Sequence, residues 1–160
     1  MIDYLLNKAS RYFNAKQPED EGVEVNRDAV DKTPKQIMLA KSYHGMHEKR
    51  NKGALRMLLG FNPATTPWCA GFVNAIEKKC GRKGTGKLLA RSYLKYGTPT
   101  DNPKKGDIVV FKRGNSSWQG HVGYYIFEDK NGILTLGGNQ NNKVCYKYYP
   151  KSKVLGYRRP

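Results

Sequence analysis

The hydrophobic pattern of this chain changes once, near residue 106, and this change restricts the possible folds more than any other feature. Before it, apolar residues recur at helical spacing between about residues 34 and 97. After it, the segments are alternating or continuously β-rich, and Gly, Asn and Ser clusters separate them. Helices followed by a meander of strands is the order of an α+β domain, with an antiparallel sheet of about five strands. The predicted strands are DIVVFK, HVGYYIFE, ILTLGG, VCYKYY and VLGYR.

The best-marked helix of the first half is WCAGFVNAIEKKCG. Thr66 is a suitable N-cap, Pro67 suits the first helical position, and Gly81 can end the helix in a left-handed conformation. This arrangement puts Cys69 at about the third helical position. Three further helices are predicted, from residues 33–34 toward 45, at 54–59 and at 87–96.

Charge divides the chain near residue 32. The whole chain has 29 Lys and Arg against 13 Asp and Glu, a net charge of +16, but residues 1–31 are net −3. Residues 2–13 carry apolar side chains at helical spacing, and residues 16–34 lose that spacing in an acidic stretch bounded by prolines. We therefore predict a short helix plus an acidic arm or linker at 1–32, and a single domain at 33–160.

The basic excess of the domain predicts a polyanionic partner, and nucleic acid, anionic cell-envelope polymers and lipid headgroups all qualify. No helix-turn-helix, zinc-finger or RNA-binding aromatic motif is present, so no specific nucleic-acid site is predicted. A basic nucleic-acid-binding module without catalysis stays as an alternative. No apolar run is long enough for a transmembrane segment or a signal peptide.

The three cysteines are an odd number without a C-x-x-C pair, which favours reduced thiols over a disulfide framework. Cys69 lies at a helix start, where unpaired amides and the helix dipole lower a thiol pKa. His121 opens a strand after the flexible run RGNSSWQG and is the best-placed base. Asn139 and Gln140 end the next strand, and we prefer Asn139 as the group that orients the imidazole. The alternative is a buried cysteine, a strand-capping histidine and a turn-forming asparagine.

Two other patterns are weaker. His44, His47 and Glu48 resemble part of a zinc site, but two histidines without a third ligand favour solvent-facing polar residues. The run GRKGTGK lacks the spacing of a phosphate-binding loop and follows a helix, so it is interpreted as a basic loop. No metal and no cofactor are predicted.

A longer set of motifs carries a family resemblance. The strings TPWCAGFVNAIEKKCGRKGTG, ARSYLKYG, GDIVVFKRG, GHVGYYI, LGGNQ and LGYRRP are similar to the CHAP and NlpC-type cysteine amidases and endopeptidases, which are papain-like peptidoglycan hydrolases. The similarity covers roughly residues 35–160. It implies that Cys69 is the nucleophile and His121 the base. Relatives vary at the third position, for which Asn139 is the nearest match.

The resemblance also implies a setting. It implies a monomeric phage endolysin that cuts an amide of the peptidoglycan stem, with a bacterial effector amidase of the same fold as the alternative. Peptidoglycan and anionic envelope polymers are then the partners. The expected location is the host cytoplasm on synthesis and the cell wall after release through a holin. The expected substrate-binding residues are Trp68, Trp118, Gln140, Glu48 and Tyr124.

Overall fold

The structure is a computed structural model that describes residues 33–160. Within this range, three α-helices come first. The helix predicted at 2–13 and most of the acidic arm lie outside the described residues, and the domain boundary near residue 33 stays a prediction. Within 33–160, no helix is long and apolar enough to cross a bilayer. The helices are α1 (Lys35–Ser42), α2 (Lys52–Leu59) and α3 (Cys69–Lys79), and two 3-10 helices follow at Ala90–Lys95 and Lys151–Lys153.

The fourth predicted helix forms only the 3-10 helix Ala90–Lys95, because the chain before it is bound to α3. The side-chain oxygen of Asn74 accepts the N–H of Thr85 at 3.0 Å, and the Asn74 amide donates to the Lys87 carbonyl at 2.9 Å. These bonds hold residues 85–87 outside a helical conformation. They also occupy amides of the GRKGTGK run that a phosphate would need.

Six strands form one sheet in the order β1-β6-β2-β3-β4-β5, and every neighbouring pair is antiparallel. The α+β prediction and its five strands are confirmed. The sixth strand, β1, was missed because TPT shows no alternation, and it is recognisable only by its pairing with β6 at the sheet edge. The strands are β1 (Thr98–Thr100), β2 (Ile108–Lys112), β3 (Gly120–Asp129), β4 (Gly132–Gln140), β5 (Lys143–Tyr149) and β6 (Val154–Arg159).

The central strands β2, β3 and β4 are largely buried on both faces of the sheet. One face packs on the helices through Val110, Val122 and Leu136, and the other contains a smaller cluster with Phe111 and Ile133. Full burial of one such side chain contributes about 1.5–3 kcal/mol. Successive side chains of β2 and β3 point to opposite faces of the sheet. Because both faces are covered there, these strands are apolar at consecutive positions.

A glycine sets how closely β4 approaches the start of α3. A Cβ placed on Gly138 would lie 2.6 Å from the Trp68 ring and 2.7 Å from Cβ of Phe72. Any larger residue at this position would push the strand away from the helix. The contact brings the end of β4 beside the helix start that carries Cys69.

The other end of α3 is tied to β3 by a buried carboxylate. Glu77 accepts two bonds from Arg82, at 2.6 and 2.9 Å, and one each from the hydroxyls of Tyr96 and Tyr124, both at 2.8 Å. Buried charge is tolerated because all these donors surround it. The network orients α3 across the sheet.

Candidate functional site

Cys69 is the first residue of α3, two positions nearer the start than the sequence suggested. Trp68 takes the N-cap position without a side-chain cap, so Thr66 does not cap the helix. Burial raises the pKa of the Cys69 thiol, and the amides of Val122 and Ala70 and the Arg113 charge oppose that rise only in part. The expected lowering of this pKa is therefore outweighed by desolvation, since only 7% of the residue is exposed.

His121 stands near the start of β3, with its backbone paired to Phe111 of β2. Its ring stacks on Tyr149, with centroids 4.9 Å apart, and Tyr149 in turn stacks on Phe111 at 4.5 Å. Burial lowers the pKa of His121 to about 4; the bond to Gln140 opposes the shift, and the charges of Arg113 and Lys147 add to it. The imidazole is therefore neutral in the resting protein at neutral pH.

Gln140 is the hydrogen-bond partner of the imidazole. Its Oε1 lies 2.9 Å from Nε2 of His121. Its amide nitrogen donates to two carbonyl oxygens, that of Cys145 and, at 3.3 Å, that of Thr135. Because carbonyl oxygens only accept, these two bonds determine which end of the Gln140 amide faces the ring.

The orientation of this amide determines the tautomer of His121. An amide oxygen has no proton to donate, so Nε2 of the ring must carry the hydrogen in the 2.9 Å contact. In the neutral ring Nδ1 is then unprotonated and holds a lone pair. This is the protonation state that a general base for a thiol requires, and the bond to Gln140 holds the ring in it.

The end of β4 explains why Gln140, not the preferred Asn139, reaches the ring. The pairing of β4 with β5 shifts register between Gly137 and Gln140, and Asn139 has a left-handed φ of 54°. The bulge turns Asn139 toward a cavity and lets Gln140 fold back over Gly137. A Cβ on Gly137 would come within 2.9 Å of Gln140 Oε1, so glycine makes room for this side chain.

A cavity of about 350 Å³ opens beside His121. Phe111 and Tyr149 provide aromatic surface within it, and four cationic side chains line it as well. Cys69 is not among its lining residues. The remaining lining residues are Lys112, Arg113, Asn139, Asn141, Asn142, Lys147 and Lys153.

The other residues expected to bind substrate lie in different surroundings. Trp68 is fully buried and donates from its indole N–H to Glu48 at 3.1 Å. Neither residue lines the cavity. Tyr124 is fully buried against Glu77. Both rings are core residues, which corrects the expectation that they contact substrate. Trp118 is 61% exposed, on the loop that leads into β3.

Sequence reasoning missed the aromatic stack of Phe111 and Tyr149 and the role of Cys145. The Cys145 thiol donates to the backbone oxygen of Gln140 at 3.2 Å, so this cysteine helps to hold the bulge. Alternation in β2 and β5 was the available signal, but β3 and β4 lie between these strands, so only the tertiary structure brings the two rings together. His44 and His47 lie in the loop before α2, and no group of three potential metal ligands occurs within residues 33–160.

The lowered pKa of His121 predicts a pH-dependent stability. Between about pH 6.5 and pH 4 the unfolded chain takes up a proton at this residue and the folded chain does not. The free energy of unfolding should therefore fall as the pH is lowered through this window, by about 3 kcal/mol over the whole window. Urea unfolding at several pH values measures it. His121→Asn should flatten the dependence, whereas His47→Asn should keep it; an unchanged slope in His121→Asn would contradict the prediction.

Comparison with known proteins gives one family match. Residues 61–139 match the family model of the CHAP domain, so the match contains Cys69 and His121 and ends one residue before Gln140. The crystal structure of a wild type endolysin, LysIME-EF1, is similar with a TM-score of 0.47 and 17% identity, over 57% of this chain and 52% of that chain. The chain thus spans about half the length of that structure. No curated protein matches this chain. The resemblance to the CHAP family is confirmed.

Proposed function

We propose that this chain, whose residues 61–139 match the family model of the CHAP domain, hydrolyses an amide bond in the peptide stem of peptidoglycan, with Cys69 as the nucleophile. Peptidoglycan is the substrate to which the CHAP domain points. The observation that carries the thiol mechanism is the bond from His121 to Gln140, because it leaves Nδ1 of a buried imidazole free to accept a proton.

The first step follows from the resting protonation states. Both the thiol and the imidazole are neutral, since burial raises the pKa of Cys69 and lowers that of His121. As the sulfur attacks the substrate carbonyl, Nδ1 of His121 takes the thiol proton. The imidazolium that forms keeps its Nε2 hydrogen bond to Gln140, which is stronger for a charged donor. Gln140 therefore stabilises the transition state more than the ground state.

The second step releases the amine and then the acid. Amides at the start of α3, beginning with that of Cys69, supply donors for the oxyanion of the tetrahedral intermediate. The His121 imidazolium gives its proton to the leaving amine, and a thioester to Cys69 remains. Water then adds to the thioester with the neutral imidazole as base, the carboxylic acid is released and the Cys69 thiol is regenerated.

The proposed setting is a monomeric endolysin, made in a host cell and acting on the cell wall after release. Its support is electrostatic, since residues 32–160 have a net charge of +19 while the cell envelope is anionic. A bacterial effector amidase would use the same site and the same chemistry.

Analysis of digested peptidoglycan by mass spectrometry tests this function. We expect products that have gained one water at an amide, with a new amino terminus. A free N-terminal L-Ala would assign an amidase, and a shortened stem would assign an endopeptidase. New reducing ends, or intact peptidoglycan together with salt-sensitive DNA binding, would contradict the proposal.

A further inference from the structure

The cavity beside His121 carries a charge pattern that the hydrolysis mechanism does not use. Lys112 ends β2 and Arg113 directly follows it, Lys147 lies in β5, and Lys153 lies in the 3-10 helix before β6. Among residues 33–160, no acidic side chain lines the cavity. These cations converge from β2, β5 and the segment before β6 onto one volume next to the proposed base.

The cations also lack carboxylate partners among the described residues. The three ion pairs within 33–160 join Arg82 to Glu77, Lys151 to Glu128 and Arg159 to Asp107, so none involves the cavity. Lys147 instead donates to Asn141 at 3.1 Å, with its ammonium 5.6 Å from the Tyr149 ring centroid. Cations gathered without neutralising partners repel one another, and an anion bound among them would relieve that repulsion.

The surface of the cavity favours a small organic anion over a simple ion. The Tyr149 ring, stacked on the buried Phe111, forms an aromatic wall at one side. Coulomb attraction is stronger beside such a wall than in water, and aliphatic carbon can pack on the Tyr149 ring. Arg113 also lies near enough to Cys69 and His121 to affect both pKa values, so an anion bound there is close to the reacting atoms.

We propose that this cavity recognises a free carboxylate of the stem peptide, with Arg113 and Lys147 as the specificity-determining residues. The inference rests on the proposed function and names its substrate class: stems whose carboxyl groups are free and not converted to carboxamides. A stem carboxylate is favoured over the phosphate of a wall polymer because the amide to be cut must itself approach His121.

A matched pair of synthetic stem muropeptides, identical except for a free or an amidated carboxyl group, tests the inference. For the wild-type protein, kcat/KM for the carboxylate form should exceed that for the carboxamide form by about tenfold or more. In Arg113→Gln/Lys147→Met the ratio should approach one. Lys130→Met, in the turn at the far end of β3, should keep the wild-type ratio.

Binding measured without catalysis gives a second readout. Calorimetry with Cys69→Ala should show tighter binding of the carboxylate form, and loss of that difference when Arg113 and Lys147 are also replaced. Equal cleavage and equal binding of the two forms would overturn the inference and leave the hydrolase function intact. Cleavage of neither form would overturn the proposed function and the inference with it. Dependence of cleavage on anionic wall polymers alone would assign the cations to those polymers and overturn the inference.

Discussion

Replacing Cys69 with alanine should lower kcat/KM for peptidoglycan cleavage by about 10⁴-fold or more, because the covalent step loses its nucleophile. The residue starts α3 without a side-chain cap. The substitution removes little volume, so the fold should persist. Clearing of a cell-wall suspension measures activity, and circular dichroism with thermal unfolding checks the structure.

Cys80→Ala is the matched control for the loss of a thiol. Cys80 follows α3 at its C-cap, about three helical turns or roughly 16 Å from the nucleophile. Its variant should clear the suspension as the wild type does. Alkylation mapped by mass spectrometry should likewise abolish activity when Cys69 is modified, whereas modification of Cys80 should leave activity unchanged. Undiminished clearing by folded Cys69→Ala would refute the thiol mechanism.

Gln140→Met should lower kcat/KM by about 10²-fold, because the imidazole loses the acceptor that fixes its tautomer and orientation. The variant also leaves the ring N–H and two carbonyls without their partner, at a cost of about 1–3 kcal/mol in the free energy of unfolding. Steady-state kinetics below the unfolding temperature separates the two effects. Asn139→Gly, which suits the left-handed φ of that position, should retain nearly wild-type activity.

A charge at position 140 distinguishes a positioning role from a structural one. In Gln140→Glu a carboxylate faces Nε2 and raises the pKa of His121, since it favours the charged imidazolium. The resting base is then protonated up to a higher pH, so the acid limb of the profile of kcat/KM against pH should move to higher pH. An unmoved acid limb would contradict the positioning role of Gln140. Loss of activity in Asn139→Gly would assign that role to Asn139.

The secondary structure was largely readable from the sequence because periodicity is a local property. Residues 69–79 show one apolar face between Pro67 and Gly81, and α3 forms there. Gly81 has the left-handed φ of 81° that its position after the helix predicted. Where long-range bonds compete, local pattern failed: the Asn74 side chain draws residues 85–87 away from a helix, and β1 exists only because β6 pairs with it.

For the candidate site, residue type and position within an element pointed to Cys69 and His121, and their catalytic roles stay predictions. The pKa directions could not be read in this way. A helix start suggested a lowered thiol pKa, but burial depends on what packs around Cys69, and here it outweighs the amides. The same holds for Trp68 and Tyr124, which were candidate substrate-binding residues in the sequence and are fully buried in the fold.

The sequence by itself determined the α+β order, the helix start that carries the thiol, the strand start that carries the imidazole and the basic excess of residues 32–160. The hydrogen bond between Gln140 and the ring, and the cavity that four cations share with His121, follow from the tertiary fold alone. The physical reason is that the direction of a side chain after a bulge, and the meeting of β2, β5 and the segment before β6, depend on strand register. Register is determined by packing across the whole sheet, not by neighbours in the chain.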